Sequence, residues 1–234
     1  MRDSAHPAAR RATPRARFDR VDVKLALDAA LLYVISGDGE PGAQADSLCA
    51  AVDGGADVVQ LRNKIADKGR LLEAARRVAA HARAHGALFI VNDHVDLAIA
   101  ASADGVHLGQ EDLPPAAARA IWPGSHLVGR STHSLEQALA AVREGVDYIG
   151  VGPVFATPTK AGRPAVGLGL LGRVRDSVDL PWFAIGGIDA GSLGEVLAAG
   201  AHRVAVVRAV CSAADPSRAA AQLRARLDAV PVQR

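Results

Sequence analysis

The sequence predicts an α/β fold, a closed (β/α)8 TIM barrel in one domain, and three observations lead there. Eight short apolar runs alternate with helix-patterned segments. Each run is too apolar to have a wetted face, which marks parallel strands covered on both sides. Polar residues capable of chemistry gather after the strands, while the opposite ends carry mainly turn residues. Barrels of this kind place their reacting groups at the C-terminal mouth. Eight such units favour closure, with an open doubly wound sheet as the alternative. A chain of 234 residues, 50% of them hydrophobic, is enough for one full core.

Residues 1–17 combine Pro, Ala and Arg without periodicity and read as a disordered, Arg-rich extension, leaving 18–234 as the barrel domain. A helix over Phe18–Ala30 is expected to pack across one end. The first strand is Leu31–Ile35, followed by a helix over Ala43–Asp53. The second strand runs into Arg62, and Lys68–His85 is strongly helical. Ala87–Val91 is the third strand, with a short helix after Asp93. Asp104–Leu108 is the fourth, and Pro114 and Pro115 can open the helix behind it. The pattern then repeats: strand His126–Gly129, helix Ser134–Glu144, strand Tyr148–Val151, and a helix over Leu168–Ser177 after a long loop. Strand Trp182–Ile185, helix Gly191–Ala199, strand Arg203–Val207 and helix Asp215–Ala229 complete it. Turns such as Gly55-Ala56-Asp57, Gly145-Val146-Asp147 and Gly200-Ala201-His202 recur before strands, so the units share a plan.

The segment Gln60-Leu61-Arg62-Asn63-Lys64 carries the first chemistry. Side chains alternate along an extended chain, so Gln60, Arg62 and Lys64 fall on one side. Two cations and an amide converging there call for an anion, a phosphate or diphosphate. Asn92 and Asp93 follow the third strand, Gln110 and Asp112 the fourth, and Ser131, Thr132 and His133 the fifth. Asp93 and Asp112, acids at adjacent strand ends facing basic residues, suit Mg2+, which takes a few carboxylate oxygens and fills its octahedron with phosphate oxygens and water. Each has a plainer reading as a helix N-cap, or as a salt-bridge partner. Thr157, Thr159 and Lys160 sit in a loop after the sixth strand, where two hydroxyls and an ammonium suit phosphate oxygens. Gly186-Gly187 permits close backbone approach, and a following helix N-terminus would offer N–H groups. His133 is a candidate acid or base, whereas His107 reads as a packing residue.

The net charge of +2 and the 3% aromatic content give no electrostatic footprint or stacking platform for nucleic acid. No apolar run is long enough to span a bilayer. Cys49 and Cys211 lack metal-ligand spacing and fit a reducing cytoplasm. Homo-oligomerisation is left open.

The ordered motifs Gln60–Lys64, Asn92-Asp93, Asp104–Asp112, Gly129–Ser134, Gly152–Lys160 and Ile185–Ile188 together resemble the thiamine-phosphate synthase family, from about Leu31 to the C-terminus. The resemblance implies a TIM-barrel transferase. It would join an aminopyrimidine methyl diphosphate to a thiazole phosphate, releasing diphosphate and giving thiamine monophosphate. It implies that Gln60, Leu61, Arg62, Asn63, Lys64, Asn92, Ser131 and Lys160 bind the pyrimidine substrate. Arg62, Lys160 and Ser131 would take part in catalysis. Asp93 and Asp112 would hold Mg2+. Thr157, Pro158, Thr159, Gly187, Val207 and Arg208 would bind the thiazole phosphate. The family often ends its eighth strand with Ile-Ser, where this chain has Val207-Arg208. Rival readings are a thiazole tautomerase of the same fold, which needs an acid/base group and no diphosphate, and a non-catalytic precursor-binding protein.

Overall fold

A computed structural model describes residues 20–157 and 164–230, with backbone alone for 20–22. The extension over 1–17, the Phe18 end of the first helix, and Pro158, Thr159 and Lys160 lie outside the described residues.

Eight parallel strands close into a barrel in chain order, β1 (Leu32–Ile35) pairing with both β2 (Val58–Leu61) and β8 (Val204–Val206). Between them come β3 (Leu88–Asn92), β4 (Gly105–Leu108), β5 (Leu127–Thr132), β6 (Tyr148–Val151) and β7 (Trp182–Ile185). The open-sheet alternative is thereby excluded. The strands are short, and five of them (β1, β2, β4, β6 and β8) are buried at every position. Alternation divides their side chains into two cores. Leu32, Val34, Val59, Phe89, Val91 and Val106 point outwards and pack under the helices. Tyr33, Val58, Leu88, Ile90, Leu127, Tyr148 and Phe183 fill the barrel's interior.

The helices supply the outer wall. In α3 (Lys68–His85), Leu71, Ala74, Ala75, Val78, Ala79 and Ala82 form the buried stripe, at helical spacing. Gly86 ends it in the left-handed region, φ 75°, its N–H returning to the Ala82 and Arg83 carbonyls. In α2 (Pro41–Asp53) the Glu40 carboxylate accepts the Ala43 N–H and Pro41 opens the first turn; Asp215 and Pro216 do the same for α10 (Pro216–Asp228). The remaining helices are α4 (Val95–Ala100), α5 (Pro115–Ile121), α6 (Leu135–Arg143), α7 (Gly169–Arg175) and α8 (Leu193–Ala198). At the front, α1 (Arg20–Ala29) packs Val23 and Leu27 against the interior side chains and closes the mouth where strands begin. Cys49 is buried in the outer core, and Trp182 packs between barrel and helices.

Two elements differ from expectation. Strand β5 continues through Arg130, Ser131 and Thr132, which read as loop because they are polar. They are strand because Ser131 pairs with Gly150 and Thr132 with Val151, while the outward Thr132 hydroxyl donates to the Gly150 carbonyl at 3.0 Å. After β8 the chain turns at Val207 into a single helical turn, α9 (Arg208–Cys211), so Val207 and Arg208 are not strand residues.

The recurring Asp turns prove to be fasteners at the strands' N-terminal mouth. Asp57, just before β2, accepts the Leu31 and Leu32 N–H groups at 2.8 and 3.0 Å. Asp104, before β4, accepts the Phe89 N–H at 2.8 Å, and Asp147, before β6, accepts Val128 N–H at 2.8 Å. Each therefore ties an even-numbered strand to the odd-numbered one before it. Burial pushes the Asp104 carboxyl up to about 6, the Phe89 N–H and the charge of Arg83 offsetting it only in part. The unfolded value is about 3.9, so the folded state holds its proton to higher pH, and stability falls as pH rises between the two values. Asp104→Asn keeps an acceptor for Phe89 and removes the ionisation. Its stability relative to the parent chain should be near zero at pH 4 and should rise to about 2–3 kcal/mol by pH 8. Urea unfolding at the two pH values checks this, and a difference that ignores pH would refute it.

Candidate active site

At the C-terminal mouth a cavity of about 310 Å³ opens into the barrel. Its floor is a chain of polar contacts across the interior. The Gln60 amide donates to the Tyr33 hydroxyl, which lies 3.0 Å from the Tyr148 hydroxyl. Tyr148 is 3.2 Å from Nδ1 of His107, whose Nε2 is 3.0 Å from the Ser131 hydroxyl. Burial holds both phenols well above their ordinary pKa, so they remain neutral donors and acceptors. His107 is thus a working part of the floor and not merely a packing residue. Strand parity could have shown it, since His107 is in register with Asn92 and Gly129 on neighbouring strands.

Gly129 makes room for this floor. A Cβ there would stand 2.2 Å from Cζ of Tyr148 and 2.6 Å from Nδ1 of His107. Gly129→Ala should therefore destabilise the fold by about 1–3 kcal/mol, as overpacking does. A melting temperature equal to that of the parent would contradict the crowding.

Of the Gln60–Lys64 segment, only alternate residues face the chemistry. Gln60 and Arg62 line the cavity. Leu61 is a correction: its side chain is buried in the outer core, because one residue of strand reverses the face. Asn63 is a second one. Its amide donates to the Gly39 carbonyl and Gln44 Oε1, both at 2.8 Å, and its oxygen accepts from Ile65 and Ala66, so it shapes the loop. The cations also have protein partners that sequence reasoning missed. Asp38, after β1, meets the Arg62 guanidinium at 3.0 Å and the Lys64 N–H at 2.7 Å. Burial works against its carboxylate, but those two groups and the charge of Lys64 outweigh it and hold the pKa below the ordinary value. Asp38 was overlooked because β1 reads as apolar and its loop as a plain Gly-rich turn.

The acids after β3 and β4 do meet. The Lys64 ammonium lies 3.2 Å from Asp93, and the Asp93 and Asp112 carboxyls are within hydrogen-bonding reach of one another. Burial first, and then the neighbouring Asp112 carboxyl, push Asp93 above the ordinary range. Asp112 is opposed by burial too, yet the Asp93 hydrogen bond, the Gly109 N–H and the charges of Lys64 and Arg130 bring it below. The pKa values of the two carboxyls are thus pushed apart by their contact, Asp93 upward and Asp112 downward, and a divalent cation placed between them would relieve that repulsion. Neither acid caps the helix behind it. His94 and Pro114 hold those positions, Asp93 sits in the left-handed region at φ 60°, and Asp112 accepts the Gly109 N–H at 2.6 Å. The N-cap explanation is therefore removed.

Asn92, Ser131, Thr157, Gly187, Val207 and Arg208 also line the cavity. The loop after β6 is drawn along the end of β7 by Val154 N–H to the Ile185 carbonyl, 2.8 Å, and Phe155 N–H to Gly186, 3.0 Å. Gly186 and Gly187 both have positive φ, 105° and 68°, and a Cβ on Gly187 would lie 2.7 Å from that of Phe155. The expected helix N-terminus behind them is not open: the Asp189 carboxylate takes the Gly191 and Ser192 N–H groups before α8 starts. His133 donates through Nδ1 to the Gly152 carbonyl, which orients its ring at the cavity wall.

A family model described as thiamine monophosphate synthase matches residues 32–210, a span that includes every one of these residues. The chain belongs to the thiamine monophosphate synthase family. A thiamine-phosphate synthase of Thermus thermophilus is 53% identical over 178 residues, covering 76% of this chain and 85% of the relative. One from Gloeobacter violaceus is 50% identical over 207 residues, 88% of this chain but only 60% of that longer protein. The solved structure of a thiamine phosphate pyrophosphorylase from Pyrococcus furiosus superposes with a TM-score of 0.79 at 38% identity, over 89% of this chain and 98% of that one. The family resemblance drawn from the motifs is thus shown, with its barrel. No helix among the described residues is long and apolar enough to cross a membrane.

Proposed function

We propose that the chain is a transferase of thiamine biosynthesis. It condenses 4-amino-2-methyl-5-(diphosphooxymethyl)pyrimidine with thiazole phosphate, giving thiamine monophosphate and diphosphate, or with its carboxylated form, which also releases CO2. The observation that carries this reading is the meeting of Arg62, Lys64 and the Asp93–Asp112 pair at one mouth of the barrel, above a cavity sized for small molecules. Asp93 and Asp112 would hold Mg2+, which supplies charge neutralisation for the leaving diphosphate.

The residues of the chain do the rest. Gln60 and Ser131, fixed by the Tyr33–Tyr148–His107 floor, orient the pyrimidine with Asn92. Arg62, with Lys64 and Lys160, draws off the negative charge that develops on the leaving oxygen as the methylene–oxygen bond breaks. The electron-rich aminopyrimidine tolerates a cationic methylene, so the displacement is dissociative. The thiazole nitrogen then forms the new carbon–nitrogen bond, and no protein base is required. Thr157, Pro158, Thr159, Gly187, Val207 and Arg208 hold the thiazole phosphate so that its nitrogen is aligned and water excluded.

Incubating the purified protein with both precursors and Mg2+ should yield thiamine phosphate, read by fluorescence after oxidation. Lys160→Ala should lower that yield by roughly a hundredfold. An absence of product above the enzyme-free blank, with both substrates saturating, would overturn the assignment.

A further inference from the structure

Outside the cavity, one cluster brings together side chains whose chemistry is that of metal ligands. Asp53 closes α2, while His81 and His85 stand one turn apart near the end of α3, so the three meet at the barrel mouth opposite the cavity. One ligand atom from each lies within 4.8 Å of the other two. Nε2 of His81 is 2.8 Å from Asp53 Oδ1, and Nε2 of His85 is 3.7 Å from the same oxygen. Ligands about 2.1 Å from a tetrahedral ion lie about 3.4 Å apart, between those two distances.

The second contact of His85 adds an independent observation. Its Nδ1 lies 2.9 Å from the His81 carbonyl, which can only accept, so Nδ1 donates there and Nε2 is the ring nitrogen turned towards Asp53. A ligating histidine is normally oriented in this way, by donating its other ring N–H to a carbonyl. The two rings stack 4.2 Å apart with both Nε2 atoms aimed at Asp53. Two imidazoles and one carboxylate suit Zn2+ far better than Mg2+, which wants oxygens alone.

We propose that Asp53, His81 and His85 form a peripheral Zn2+ site, with water as the fourth ligand, that staples α2 to α3. The ion would sit between His81 Nε2 and Asp53 Oδ1, now 2.8 Å apart. It is distinct from the acids at the catalytic mouth and does not rest on the proposed activity.

The test is Zn2+ titration of the full chain against a chromophoric chelator, in excess Mg2+ to occupy carboxylate-only sites. Thermal unfolding is followed with and without Zn2+. The parent chain should retain about one equivalent and gain melting temperature, since a ligand that binds only the folded state stabilises it. His81→Gln and His85→Gln should each weaken binding at least tenfold and abolish the thermal gain, with both variants folded and their Zn2+-free melting temperatures little changed. Equal Zn2+ affinity in the parent and in the His81→Gln/His85→Gln double variant would overturn the site. So would a parent chain that yields all its Zn2+ to a chelator of micromolar affinity.

Discussion

Asp93→Asn should lower turnover on the order of a hundredfold to a thousandfold while the barrel stays folded. Asparagine is the instructive replacement because Asp93 sits at φ 60°, a region asparagine enters readily and alanine enters at a cost of about 1–2 kcal/mol. The variant keeps the loop and the shape of the side chain and removes one charge from the pair with Asp112. Lys64, 3.2 Å away, then loses that ion pair and is left with the more weakly coupled charges of Asp38 and Asp112. The Mg2+ concentration for half-maximal rate should rise with the fall in turnover. Parent-like rates at saturating substrates, with Mg2+ scarce, would remove the two acids from the mechanism.

Arg62→Ala should have the next largest effect, roughly a hundredfold in turnover. Its guanidinium is almost buried and aimed into the cavity's wall by Asp38 at 3.0 Å. Asp38→Asn is the control, because it leaves the arginine in place and loosens only its aim, so its loss should be several-fold. Steady-state rates for the two variants, each checked for fold by circular dichroism, decide the matter. Should Asp38→Asn prove the more damaging, Arg62 would be a structural partner and not the group that meets the diphosphate.

The barrel could be read from the chain because its signals are local and repeated. Strands β6 and β7 and helix α3 coincide with the expected residues, as four-residue apolar runs and an 18-residue amphipathic stripe leave little choice. Parity also placed Gln60 and Arg62 on the cavity side, whereas Lys64, beyond the end of β2, reaches Asp93 from the loop. What escaped was decided by partners far away in sequence. Ser131 and Thr132 are strand because β6 lies beside them, and Arg130 because it lies between β4 and β6. Asp38 matters only because β2 delivers Arg62 to it, 24 residues later. Tyr33 and Tyr148 look like core aromatics until closure sets their hydroxyls 3.0 Å apart, across 115 residues of chain. Leu61 and Asn63 were drawn into the site by a contiguous motif, which alternation then divided.

The aspartates before β2, β4 and β6 have a wider consequence. They turn six of the eight staves into three cassettes of two, each with its own clasp at the end remote from the cavity. Harm to one clasp loosens one cassette, leaving the residues at the opposite rim to be adjusted by substitution on their own account. Robustness and reactivity thus occupy separate ends of one molecule, and either can drift without first asking leave of the other.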